Sequence, residues 1–243
     1  MDAMTAIEYR QASSASYRER ARCLNEAYVD YLVPLQVNAD QLARMDRLYD
    51  VSTDASIVAV ARERLVGMAL LSERSGRGWI SAVGTVPEYR RRGIARQMLQ
   101  LLLHNARRLK MGELTLEVIS DNHAAAALYA QLGFVAVREL LTWRRGSEDD
   151  PLPVPDEMLS EVNPASLLRD FDTLHKERPS WQREAATLQQ LAGQARGYTL
   201  ALDGRRAAHC LVAERTDGVA ILDVGIHPDF GAIRAGRPLL QAL

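Results

Sequence analysis

One stretch, residues 79–110 (WISAVGTVPEYRRRGIARQMLQLLLHNARRLK), limits what this chain can fold into more than any other. β-Branched and small residues from Trp79 to Val86 predict a strand buried on both faces. Pro87 has no N–H for a ladder bond and ends it. Beyond Gly93, Ile94, Met98, Leu101, Leu102 and Leu109 recur at helical spacing, so a long helix follows. Arg107, Arg108 and Lys110 close that helix, where cations meet the negative end of its dipole. The turn between strand and helix is RRRGIA, residues 90–95. A helix start offers unpaired N–H groups and partial positive charge. Gly93 and Ala95 allow close approach to the backbone, and the arginines add charge-assisted donors. The turn is therefore expected to seat a diphosphate or similar anion. Taken alone, an arginine-rich turn fits a solvated basic loop equally well.

The flanking elements follow from local signals. Residues 6–11 read as a short strand. Ser13 or Ser14 then caps a helix running to about Tyr31. Pro34 interrupts, and residues 38–41 read as a capping box before a second helix ending near Leu48. Residues 56–62 and 65–72 form a hairpin around Arg62, Glu63 and Arg64. After the long helix, Gly112 is placed as its C-terminal cap. A strand over 114–119, an alanine-rich helix over 123–132 capped by Asp121 or Asn122, and a last strand over 134–144 complete the first half.

Composition narrows the classes. The chain has 243 residues, room for one large domain or two modest ones, and 47% hydrophobic content supplies ample core. A formal net charge of −1 argues against nucleic-acid binding by bulk electrostatics. The basic residues are not interleaved with aromatic stacking platforms either. Cys23 and Cys210 have neither disulfide-framework nor zinc spacing and read as buried apolar residues, so no metal is expected. No signal core or membrane-length apolar run is present, so a cytoplasmic protein without a membrane partner is expected.

Arg90-x-x-Gly93-x-Ala95 directly after a strand resembles the Gln/Arg-x-x-Gly-x-Gly/Ala signature of the GCN5-related N-acetyltransferases (GNAT). Asn122, Tyr129 and the Leu132-Gly133-Phe134 turn resemble that family's second signature. The likeness covers about residues 6–145 and implies an α+β fold: a central, mostly antiparallel, twisted sheet flanked by helices. It further implies acetyl-CoA as acetyl donor, with the pyrophosphate on Arg91, Arg92, Gly93, Ile94, Ala95 and Arg96. The pantetheine arm would pair with the backbone of Gly84, Thr85 and Val86, beside a bulge that splays the central strands. The N–H of Val86 would polarise the thioester carbonyl. Asn122 would cap its helix and touch the arm. Tyr129 is the implied general acid for the leaving thiolate, against a plain gap-filling role. Glu117 is the implied base, acting through water, against a solvated strand carboxylate. His123 is a weaker candidate for the base. Tyr28, Tyr31 and Met45 are candidates for lining the acceptor site or for packing on the sheet.

The implied function is N-acetyltransfer to a primary amine by direct attack in a ternary complex, since neither motif holds a cysteine. The acceptor is a small-molecule amine or a protein N-terminus. The alternative is a catalytically inactive acyl-CoA-binding sensor or assembly module.

The expected domains are 1–145, an acidic proline-rich linker over 146–158, and 159–243. The last region reads as helices over 164–177 and 181–194 and strands over 198–202, 207–214 and 219–226. Asp203-Gly204 and Asp217-Gly218 turns join the strands, and a helix begins near Arg237. That order repeats the first half, which suggests an internal duplication and a smaller, partial GNAT-like domain. In residues 226–238 (IHPDFGAIRAGRP), Ile233 stands at the basic first signature position and Pro238 at the small last one. Proline removes an N–H, so cofactor binding is expected to be lost in this degenerate copy. Its open sheet edge would need cover from the first domain or from a second chain in a homodimer.

Overall fold

A computed structural model describes residues 6–144, 159–175, 177–215 and 218–241. The chain divides into two compact units, Met1–Glu139 and Leu140–Leu243. The division falls just before the expected boundary at 145. The expected linker and Asp217 lie outside the described residues.

The first unit is built on a five-stranded sheet in the order β1-β2-β3-β4-β5. Strands β1 (Glu8–Gln11), β2 (Ile57–Ala61), β3 (Arg64–Arg74) and β4 (Arg77–Thr85) pair antiparallel, and β5 (Glu113–Leu116) joins β4 in parallel. Left-handed Arg62 and Glu63 close one hairpin and Ser75 and Gly76 the next, as tight two-residue hairpins require. Every residue of β2 is buried, because helices cover both faces of the sheet. Met98 of α3 (Ile94–Arg108) sits over Gly67, whereas Ala27 and Tyr28, at the end of α1 (Tyr17–Ala27), sit over Gly84. Helix α2 (Ala39–Leu48) opens with the expected Asn38/Gln41 capping box. A buried Arg20–Asp46 ion pair at 2.8 Å ties α1 to α2.

Several local expectations are corrected. Ser16, in a capping box with Glu19, starts α1, while residues 12–14 form a 3-10 turn. Helix α1 stops at Ala27, well before Tyr31. Lys110, not Gly112, takes the left-handed position after α3, and Met111 N–H closes back on the Ala106 carbonyl. The strand over 134–144 does not form. Val135 and Val137 are each 80% exposed and Trp143 is 87% exposed, and β5 is left as the edge of its sheet among the described residues.

The second unit holds an antiparallel sheet in the order β6-β7-β8-β9: Leu159–Val162, Arg196–Leu202, Arg205–Arg215 and Gly218–Ile226. The two long expected helices are broken into α5 (Pro164–Leu167), α6 (Phe171–Leu174) and α7 (Ala185–Leu191), joined by 3-10 turns. A π turn over Ala232–Gly236 leads into α8 (Arg237–Gln241). Gly231, at φ 70° and ψ 162°, is the positive-φ glycine entering this helical run. Gly236 lies inside it, against Ile226, so Ile233 and Pro238 do not occupy the signature ends expected of them.

Candidate functional site

Strand β4 makes the site by losing a partner partway along. Its parallel ladder with β5 runs only from Arg77 to Ile80. The register to β3 shifts at Leu70/Leu71, leaving Ser81 as the extra residue of a bulge. The bulge therefore precedes Gly84 by three residues instead of lying beside it. Past it, Ser81, Ala82, Val83 and Gly84 are only half-buried, which corrects the expectation of a strand enclosed throughout. The result is a slot along the unpaired edge of β4.

Val86 lies beyond use as a polarising donor, because its N–H donates to the Val66 carbonyl at 3.0 Å. Alternation along the strand then turns the N–H groups of Val83 and Thr85 away from β3, toward the open side. The carbonyls of Val83 and Thr85 are engaged by side chains. Tyr28 Oη donates to the first at 3.1 Å, and Arg90 Nε donates to the second at 3.1 Å. Gly84 lies between them, where a Cβ would sit 2.8 Å from that of Ala27. Val83 was missed in the sequence because strand polarity depends on pairing parity, which no local pattern reports.

At the end of β4, residues 87–89 form a 3-10 turn, and the chain enters α3 through left-handed Arg91 and Gly93. Gly93 has φ 77°, and no atom lies within 4 Å of where its Cβ would stand. Its conformation, more than crowding, calls for glycine here. Arg91, Arg92 and Gly93 are exposed, and Ala95 and Arg96 are half-buried. The side chain of Ile94 is core, so only its backbone N–H serves the turn. The first-turn N–H groups of Ile94, Ala95 and Arg96 have no intrahelical acceptor. Arg96 reaches across to Gln131 Oε1. Arg92 lies over the Tyr89 ring at 5.0 Å. Positive dipole, free N–H groups and open space above Gly93 fit a diphosphate.

Arg90 does something else. Both of its terminal nitrogens donate to Asp30, at 2.6 and 2.7 Å, and Nη2 also donates to the Ala27 carbonyl at 3.0 Å. It braces the end of α1 against the end of β4. Its hydrogen bond holds Asp30 below the usual carboxylate range.

The candidate chemical groups lie beyond the slot. Asn122 caps α4 (His123–Gln131), its Oδ1 accepting from Ala125 N–H at 3.2 Å. Tyr129 is half-buried, edge-on to Phe134, and its pKa is raised by desolvation and then by Tyr28 and Tyr31. Tyr28 and Tyr31 themselves pack edge to face at 4.8 Å. The three phenols are thus brought together. Glu117 lies one residue past β5, open to water on one side. Protein on its other side desolvates it and raises its pKa, with Arg138 opposing. His123 is exposed at the start of α4, and Met45 is half-buried on α2. A shallow cleft of about 510 Å³ lies between α1 and the start of α2, and none of the turn or tyrosine residues lines it.

Residues 20–134 match the family described as the acetyltransferase (GNAT) family. They form a GNAT acetyltransferase domain. A curated relative, N-alpha-acetyltransferase 30 of Schizosaccharomyces pombe, is 30% identical over 99 residues. The match takes in 39% of this chain and 66% of that relative, just under two thirds of its length. The crystal structure of a GCN5-related N-acetyltransferase from Sphaerobacter thermophilus shares the fold. It covers 97% of this chain and 81% of its own, with a TM-score of 0.69 at 15% identity. No group of three or more His, Cys, Asp or Glu able to hold a metal occurs among the described residues. Among the same residues, no helix is long and apolar enough to cross a membrane.

Proposed function

We propose that this protein transfers the acetyl group of acetyl-CoA to a primary amine, by direct attack within a ternary complex. The observation that carries the reading is the left-handed, arginine-flanked Gly93 turn opening α3 directly after a strand that has lost its partner. Arg91, Arg92 and the first-turn N–H groups would bind the pyrophosphate. The open edge of β4 would take the pantetheine arm. An outward N–H of Val83 or Thr85 would polarise the thioester carbonyl, in place of Val86.

The amine nitrogen attacks the carbonyl carbon, and the C–S bond breaks. The ammonium proton passes through water to Glu117, whose raised pKa suits a base working nearer neutrality. The leaving thiolate takes the proton of Tyr129. Desolvation keeps that phenol protonated and raises the thiolate's demand for a proton in the same pocket. The relative named for α-amine acetylation supports an N-terminal amine as acceptor.

We read the second unit as a degenerate copy of the first. The hairpin pairs Ala61–Arg64 and Leu202–Arg205 correspond, as do Met68–Gly84 and His209–Gly225. The register shifts at Leu70/Leu71 and Leu211/Val212 correspond too. The segment before Gly231 holds no arginine to grip a diphosphate.

The test is thiol release from acetyl-CoA over a panel of amines, with CoA binding followed by calorimetry. Tight CoA binding with no turnover on any amine would favour a sensor. No CoA binding at all would end the reading.

A further inference from the structure

Helices α1 and α4 both end without a cation of their own, since neither has a basic residue in its last turn. The last carbonyls of a helix carry partial negative charge and favour a cation nearby. Both helices receive one from the turn that opens α3. Arg90, three residues before Gly93, donates to the Ala27 carbonyl at 3.0 Å and forks onto Asp30 at 2.6 and 2.7 Å. Ala27 is the last residue of α1. Arg96, three residues after Gly93, donates to Oε1 of Gln131, the last residue of α4. Two tethers thus leave the turn on either side of its glycine and hold the ends of two different helices.

Those ends carry the phenols. Tyr28 directly follows Ala27, and its Oη donates to the Val83 carbonyl at 3.1 Å. Tyr129 stands two residues before Gln131 and packs edge-on to Phe134. Helix α4 needs such a tether. None of its residues is fully buried, and β5, which leads into it, pairs with β4 only from Arg77 to Ile80. Between the tethers, Arg91 and Arg92 stay exposed. The arginines of the turn therefore divide their work. The outer two are spent on helix ends, and the inner two are left for an anion.

We propose that Arg90 and Arg96 are positioning residues. Acting through Asp30 and Gln131, they set the ends of α1 and α4, and with them Tyr28 and Tyr129, at fixed places relative to the diphosphate seat. This rests on the acetyltransferase reading above. The thioester of acetyl-CoA lies far from its phosphates, so tight binding at the turn does not by itself correct a misplaced α4. A misplacement of about 1 Å costs about 100-fold in rate.

The test changes two exposed residues outside the turn, Gln131→Leu and Asp30→Ala. Thiol release is measured at saturating acetyl-CoA and amine, with calorimetry of CoA and thermal melting alongside. Each variant should lower kcat about tenfold, a fraction of what full misplacement costs. CoA affinity should stay within about twofold and the melting temperature should hold, because exposed pairs add little stability. Gln131→Glu keeps the acceptor oxygen and should keep kcat. In a Tyr129→Phe background Gln131→Leu should cost nothing further, since the group it displaces is gone. An unchanged kcat in both variants overturns the inference. So does a Gln131→Leu loss that persists in the Tyr129→Phe background, or one that Gln131→Glu reproduces. A fall in CoA affinity equal to the fall in kcat also overturns it, by returning both tethers to the donor. In each of these cases the wild type still turns over, so the acetyltransferase reading stands. No thiol release by the wild type with any amine, at intact CoA affinity, defeats that reading and this inference with it.

Discussion

Strands β3 and β4 and strands β8 and β9 pair in the same way. The partners have equal lengths, 11 and 9 residues, and the same register shift in the middle. They differ in what faces the adjoining helices. In the first unit Met68 pairs with Gly84, and Ala82 lies opposite Leu70. In the second, His209 pairs with Gly225, and Asp223 lies opposite Leu211. Gly225 is forced, since a Cβ there would strike the His209 ring. Asp223 accepts from His175 Nε2 at 2.8 Å and from His209 Nε2 at 3.3 Å. His175 Nδ1 also faces an acceptor, the Phe171 carbonyl at 2.8 Å. A ring that faces acceptors at both nitrogens favours its doubly protonated form, and the pKa of His175 is raised accordingly. The same backbone pairing thus carries two different sets of side chains. The first sheet keeps a neutral slot beside a cationic turn, and the second fills the matching ground with a buried charge cluster.

The sharpest way to break this contrast is at the two positive-φ glycines that open the helical runs. Gly93→Asp should abolish CoA binding by calorimetry, and Gly231→Asp should leave it unchanged. Loss of affinity in both variants would mean that the second turn also grips the carrier. Asp223→Asn comes next in size. Removing one partner of a buried pair strands the other, so the second unit should lose about 3 kcal/mol in denaturant unfolding, with CoA affinity intact. Tyr129→Phe should lower kcat about 100-fold at an unchanged acetyl-CoA KM, a typical loss for a general acid. A fall in acetyl-CoA affinity instead would make Tyr129 a packing residue.

The smallest effect is on pH dependence, and its sign differs for the two partners. The bond to Asp223 raises the pKa of His175 against the opposing effect of burial. Its contribution to stability is full below the ordinary histidine value of about 6.5 and is lost as pH rises through the elevated folded value. Burial pushes Asp223 up, but His175 and His209 together outweigh it and hold it low. Its contribution is present above the ordinary carboxylate range and is lost as pH falls through the depressed value. Hydrogen exchange across pH should show β9 best protected between these limits, with β4 lacking that profile.

What the sequence revealed follows from how local each signal is. The strand, turn and helix around Gly93 were legible because proline, glycine and helical spacing all act within a few residues. The capping box at Asn38 was legible for the same reason. The strand over 134–144 misled because alternation shows which side is apolar but not whether the segment joins an edge, and β5 stays the last strand of its sheet. The left-handed residue after α3 went to Lys110 although Gly112 stood nearby, so composition alone misassigned it. The His175–Asp223–His209 cluster gave no signal, since its members meet only through pairing of β8 with β9 and the docking of α6. Cys23 and Cys210 behave as expected of buried apolar residues, with burial pushing both thiols up to about 12.

The parallel ladder that stops at Ile80 has a further consequence. It leaves the segment carrying Glu117, Asn122 and α4 joined to the sheet by a short seam. On the proposed function, a donor molecule lying along β4 would act there as a removable strand, and its supply would become a stiffening agent. At a concentration a hundredfold above its dissociation constant, such a guest adds about 2.7 kcal/mol by mass action. Starved of it, this half of the molecule would melt earlier, quite apart from having nothing to transfer.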